Sequence, residues 1–187
     1  MSSGREQAVE LVEGAKRARR QGGDPLRAKR DLQQAVALLR QEGGGADLAE
    51  ALKHLGQVER DLGRSGPSAV FYEEAAAIYR ELGDLAALAH TLRHVADVHI
   101  DVDELDAAAE PISEVLSIYR QAPPDALEHA NAFRIAAMVS EKQGAAEALP
   151  LWLETKARYQ AADGVLKRLT GGNPGVDEAE GHIARLS

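Results

Sequence analysis

The sequence predicts an all-α fold, a right-handed superhelix of stacked antiparallel helix hairpins, and three observations carry that expectation. Ile78-Tyr79-Arg80 recurs as Ile118-Tyr119-Arg120 and again as Arg158-Tyr159-Gln160, so three tyrosines stand forty residues apart. A fixed period of that length is the mark of an array built from one repeated supersecondary unit. The composition is rich in Ala, Leu, Glu and Arg and only 4% aromatic, which favours helix and leaves little material for strands. Within each period the same positions are apolar or small in both halves, so each unit carries two registered helices.

The elements follow in order. A step of forty residues back from Tyr79 reaches Leu39-Arg40, inside the periodic stretch Leu32, Ala35, Leu38, Leu39; residues 1–46 are therefore expected to form a degenerate helix pair. The basic run Lys16, Arg17, Arg19, Arg20 falls at a helix end, where cations more often complement the helix dipole or stay solvated than bind phosphate. Three repeats follow, 47–83, 84–124 and 125–164, and a closing helix lies in 165–187, giving one domain of about nine helices. Asp47 with Glu50 and Asp125 with Glu128 read as capping boxes, and Asp84 opens the middle unit. Gly63 followed by Ser65-Gly66-Pro67, the stretch Asp101 to Asp103, and Gly144 read as stops between paired helices. Pro111 and Pro150 fall near the starts of second helices and predict late starts or mild kinks. Gly171-Gly172-Asn173-Pro174-Gly175 is a break, after which Val176, Ala179, Ile183 and Leu186 make one stripe on a capping helix.

Packing can be read from the same register. Leu52, Leu92 and Ala132 align, as do Leu55-Gly56, Val95-Ala96 and Ile135-Ala136. In the second helices Ser68, Tyr72 and Ala75 match Ala108, Ile112 and Val115, then Ala148, Trp152 and Thr155, at spacings of four and three that place each set on one face. Small residues at Gly56, Ala96 and Ala136 allow close approach of the paired helices, and the bulkier set fills the space between them. Trp152 and Phe71, both on second helices, are expected in the packed interior. These small and aliphatic or aromatic places resemble the tetratricopeptide repeat, over about Asp47 to Gly164. The period exceeds that family's usual length of about 34 residues and is similar to the longer-helix variety of kinesin light chains. The usual Trp is absent at Leu52 and Leu92, and Glu59, His99 and Val139 stand where the family places Tyr.

The resemblance implies a concave groove lined by the first helix of each unit. Onto this sequence it maps Glu50, Lys53, His54, Gln57, Arg60 and Asp61, then His90, Arg93, His94, Asp97 and Asp101, then Phe133, Arg134 and Glu141. Such polar side chains with one aromatic suit an extended or helical peptide. Some members clamp a C-terminal carboxylate with Lys, Asn, Asn, Lys and Arg; the matching places read Lys53, Gln57, His94, Ala130 and Arg134, with one cation lost. His90, His94, Asp97 and Asp101 share one helical face, and the first three are candidate ligands for a divalent metal. No HExxH base accompanies them, and charge-paired groove residues beside Arg93 account for the same cluster. His99 is expected to pack toward its partner helix, and His129 and His182 belong to no constellation.

Other classes are disfavoured. A net charge of -8 opposes non-specific binding to nucleic acid or anionic lipid. The absence of cysteine excludes disulfides, thiolate catalysis and cysteine-ligated metals. Gly43-Gly44-Gly45 and Gly171-Gly172 lack the lysine and strand of a phosphate loop. The first residues lack the apolar core of a signal peptide, and no stretch approaches the length of a membrane span, so a cytoplasmic protein is expected. The expected function is non-enzymatic and without a cofactor: a scaffold that recognises another protein or peptide in the concave groove. The alternatives are self-association, with a homodimer as the simplest case, and a helical divalent-metal-binding protein.

Overall fold

A computed structural model describes residues 3–187. Among these there are ten α-helices and one short 3-10 helix, with no strand. They form two compact units, one running to Val98 and the other beginning at His99.

The first unit contains α1 (Gly4–Arg20), α2 (Pro25–Gln41), α3 (Ala46–Asp61), α4 (Ser65–Leu82) and α5 (Leu85–Asp101) as far as Val98. Each start has a local cause. Ser3 and Glu6 form a reciprocal capping box on α1. The Asp24 carboxylate accepts the Leu26 N–H at 2.9 Å on α2, with Pro25 at the first turn, where no N–H is needed. Asp84 accepts from the Ala87 N–H at 3.0 Å at the start of α5. The helices pack as antiparallel pairs, α1 on α2 and α3 on α4, with α2 also against α3.

The α3–α4 hairpin shows why the register positions need their residue types. A Cβ on Gly56 would lie 3.2 Å from the Tyr72 ring and from the Ser68 carbonyl oxygen, so only a small residue lets the helices come this close. Ser68 donates its hydroxyl to the Gly56 carbonyl at 2.8 Å, satisfying a buried polar group at the contact. All nine second-helix register residues, from Ser68 to Thr155, are buried, and Tyr72 packs with Val95 and Val98. Phe71 is half-buried. A buried ion pair ties α2 to α3: Lys29 Nζ lies 2.6 Å from the carboxylate of Glu59, whose residue is 2% exposed.

The second unit contains the 3-10 turn Leu105–Ala108, α6 (Ala109–Gln121), α7 (Ala126–Lys142), α8 (Ala148–Ala161), α9 (Asp163–Thr170) and α10 (Pro174–Leu186). Pro111 and Pro150 sit in the first turns of α6 and α8, the late starts that the sequence predicts. Asp125 caps α7 by accepting the Glu128 N–H at 2.9 Å, while the Glu128 carboxylate accepts from the Tyr119 hydroxyl. The closing helix α10 packs on α8, burying Gly175 and Ala179, with Val176 and Ile183 partly covered and Leu186 exposed.

Three expectations are corrected. Ten helices stand where nine were expected among the described residues, because the chain after Ala162 forms α9 before the break at Gly171. Asp47 does not cap α3: Gly43, Gly44 and Gly45 all have positive φ and deliver the chain straight into the helix at Ala46, leaving the Asp47 carboxylate to Arg5 at 2.5 Å. Ser65-Gly66-Pro67 is not a linker. It is the first turn of α4, where proline costs no hydrogen bond, and Gly63 at φ 72° alone makes the stop.

Candidate functional site

In the first unit the polar residues of α3 and α5 meet side chains of α1 around a concavity of about 280 Å3, lined by Arg19, Lys53, His54, Gln57, His90, Arg93 and His94. The i, i+3 and i, i+4 spacing of Lys53, His54 and Gln57, and of His90, Arg93 and His94, turns both sets toward this side. None of the seven carries a carboxylate.

Carboxylates outside that lining partner the cations. Glu50 accepts from Lys53 Nζ at 2.5 Å, His54 Nε2 at 2.9 Å, Lys16 Nζ at 3.2 Å and the Tyr79 hydroxyl at 3.2 Å. The His54 hydrogen bond, together with Lys53, holds the Glu50 carboxyl far below the usual carboxylate range despite partial burial. Arg19 pairs with Asp61 at 2.6 Å. Asp97 accepts from Arg93 at 2.5 Å and has Arg60 at 3.6 Å. Gln57 joins the wall at both ends, accepting from the Tyr72 hydroxyl and donating to Asp61.

His94 is the most constrained group. Its ring stacks on Tyr72 with centroids 5.2 Å apart, and burial, followed by the charges of Arg93 and its neighbours, pushes its pKa strongly down. It is therefore neutral. Guanidinium nitrogens only donate, so Arg93, 3.2 Å from His94 Nε2, fixes that nitrogen as an acceptor. His90 Nε2, 3.3 Å from the same atom, is then also a donor to it. This occupancy bears on the metal candidates His90, His94 and Asp97: the shared nitrogen and the carboxylate are both already engaged. Among the described residues no three His, Cys, Asp or Glu side chains converge on a metal-sized site. Arg93 differs from a solvated groove residue, being only 8% exposed.

The other mapped residues lie in the second unit. Phe133 sits under the Arg158 guanidinium, 4.2 Å from the ring centroid, and packs against His129, which also meets Tyr119 edge-on and hydrogen-bonds Arg158 at 3.0 Å. Arg134 pairs with Glu178 of α10 at 2.7 Å, and Ala130 is fully buried. Asp101 is exposed, and His99 hydrogen-bonds Glu104 at 3.2 Å.

Sequence reasoning left His129 and His182 without a setting, and both have one. His182 stacks on the buried Trp152 with centroids 3.9 Å apart, while Glu141 accepts from the Trp152 indole N–H at 2.7 Å and lies 2.5 Å from His182 Nδ1. The contacts join three helices at separations of 11 and 41 residues, and no periodic pattern signals them.

No family model and no curated protein sequence matches the chain. Solved structures do. A protein of Podosopora anserina described as a kinesin light chain with nearly identical TPR-like repeats superposes with a TM-score of 0.73 at 16% identity, covering 99% of this chain and 87% of its own. A single-substitution variant of that protein gives 0.74 at 16% identity, covering 99% and 86%. The fold is thus that of a tetratricopeptide-like helical repeat array. Among such folds it is similar to the TPR-like repeats of that kinesin light chain protein, and identity this low shows the fold alone.

Proposed function

We propose that the chain is a protein-binding scaffold which takes an acidic peptide segment in the concavity of the first unit. Folds of this kind are generally protein-interaction scaffolds and typically non-enzymatic. The observation that supports the acidic partner is the lining itself: Arg19, Lys53, His54, His90, Arg93 and His94 face one concavity that no carboxylate lines. Carboxylates of a ligand would exchange with those that now partner Arg19 and Lys53, so binding replaces ion pairs with ion pairs. Exposed pairs contribute little each and are screened, which sets a moderate and salt-sensitive affinity. Among the described residues no helix is long and apolar enough to cross a membrane.

Binding to a peptide array at low and moderate salt, with Arg19→Glu and His94→Ala variants alongside, tests this reading. Acidic peptides that bind at low salt, weaken with added salt and lose affinity in Arg19→Glu are expected. Peptides that bind equally to both variants, or no acidic binders at all, would remove the concavity from the function.

A further inference from the structure

We infer that the segment taken by this concavity carries a second recognition feature: one aliphatic side chain, about three residues from its acidic part, seated in a cleft where α1, α2 and α3 meet. The inference rests on the reading of the concavity as the place where an acidic segment binds, and adds the residue type and the spacing that the segment needs.

The cleft holds about 100 Å3 and is lined by Val9, Val12 and Leu39 together with Glu13, Asp47 and Glu50. Val12 and Leu39 are buried while Val9 is exposed, so apolar surface reaches from the interior to solvent. Size decides what fits there. An apolar cavity of about 150 Å3 holds a benzene ring, so this smaller space suits a branched aliphatic side chain and is too small for an aromatic one. The carboxylates do not oppose an apolar group. Asp47 pairs with Arg5 at 2.5 Å, Glu13 with Lys16 at 2.8 Å, and Glu50 with Lys16 at 3.2 Å and Lys53 at 2.5 Å, which leaves no unbalanced charge at the rim. Their remaining lone pairs suit the backbone N–H groups on either side of an inserted residue.

Cleft and concavity lie along one groove. Helices α1 and α3 run side by side in the same direction, joined in order by Arg5–Asp47, Lys16–Glu50 and Arg19–Asp61. The cleft falls at the first of these links and the concavity at the last. Glu50 is the wall between them: it lines the cleft and accepts from Lys53 and His54, which line the concavity. From Asp47 and Glu50 to Lys53, His54 and Gln57 the advance along α3 averages about 9 Å, and from Val9, Val12 and Glu13 to Arg19 along α1 about 12 Å. An extended chain covers that span in about three residues. The two ends also differ in what they offer. Exchanging carboxylates in the concavity replaces ion pairs with ion pairs and gains little, whereas apolar burial in the cleft gives affinity that salt does not screen.

Fluorescence anisotropy with labelled synthetic peptides tests this. Each peptide carries one Leu and a Glu-Asp-Glu cluster, in either order, separated by a Gly-Ser spacer of zero to about eight residues. Affinity should peak where Leu stands about three residues from the cluster. At that spacing, replacing Leu by Ala should weaken binding about tenfold, and Trp should not restore it. The difference between Leu and Ala should persist at moderate salt and vanish in Val9→Asp. Val9 is exposed, so an unchanged urea midpoint for that variant shows that the fold is kept. A Leu effect of the same size at every spacing, or one that survives in Val9→Asp, overturns the cleft, and binding that still depends on Arg19 then leaves the acidic-segment reading intact. A Leu effect in peptides that bind Arg19→Glu equally well overturns the acidic-segment reading and with it the joined motif. Failure of every peptide to bind overturns both.

Discussion

The first helices of the repeats present the same register positions in both units, yet they use them differently. His54, His94 and Arg134 stand forty residues apart, as do Asp61, Asp101 and Glu141. In the first unit His54 and His94 line an open concavity. In the second, Arg134 is taken by Glu178, and Glu141 by Trp152, His182 and Arg185, three of these four partners lying on α10. Register therefore decides which way a side chain faces, and the helix that follows decides whether it stays available.

The largest test of this difference is Trp152→Ala. The indole is fully buried, donates to Glu141 and carries His182, so the substitution leaves a cavity, a Glu141 carboxylate without its indole donor and a less supported α10. A loss of about 3–5 kcal/mol is expected by urea denaturation. If the loss were under about 1 kcal/mol, α10 would not be fastened through this residue. The counterpart in the first unit is Glu59→Ala, which strands Lys29 against α3. Lys29 keeps some exposure, 18%, so the expected loss is smaller, about 2–3 kcal/mol. Replacing both by Lys29→Met and Glu59→Leu should recover most of it, since an apolar pair of similar size has no desolvation cost to offset; a double variant no better than the single would deny that the charges are the cause.

What the sequence disclosed and what it hid divide along the same physical line. The forty-residue register identified the buried faces down to Ser68 and Thr155, because packing between paired helices is periodic and local. Trp152 was legible as interior for the same reason. The Lys29–Glu59 pair, the Trp152–His182 stack and the burial of Arg93 join side chains across helices through contacts that no spacing encodes. Asp47 misled because three glycines made a side-chain cap unnecessary, and Ser65-Gly66-Pro67 because turn-like residues are equally at home in a helix's first turn. Of the candidate site, the α3 and α5 residues were placed by register, whereas the contribution of Arg19 required the fold of α1 against α3.

A pH experiment separates the two units further. Burial first, and Arg93 next, hold the folded pKa of His94 below its unfolded value, so the folded state binds fewer protons than the unfolded chain as pH falls. The stability tied to His94 is complete above its unfolded pKa of about 6.5 and is lost progressively below it, by up to about 1.4 kcal/mol per pH unit. His94→Phe should flatten this decline between about pH 6.5 and about pH 5. An unchanged slope in the variant would mean that His94 takes up its proton without loss of structure, and would deny its fixed neutral state.

The smallest effect concerns the turns. Gly63 ends α3 at φ 72° and Gly144 follows α7 at φ 64°, but the turn after α5 places Asp103 at φ 61°. A residue with a Cβ is strained in the left-handed region by about 1–2 kcal/mol, and aspartate is among those that tolerate it best. Asp103→Gly removes that strain and adds some unfolded-state entropy, and it gives up a long ion pair with Lys142 at 3.9 Å, which contributes little at this exposure. The expected net gain is about 0.5–1 kcal/mol. Gly63→Ala is the mirror experiment: nothing lies within 4 Å of the added Cβ, so its expected loss of about 1 kcal/mol is backbone strain, less the unfolded-state entropy that alanine removes, with no steric clash. Equal and opposite shifts in urea midpoint would show that the two turns differ only in the residue that occupies the left-handed position. A loss from Asp103→Gly would show instead that the carboxylate is held for a contact worth more than the strain.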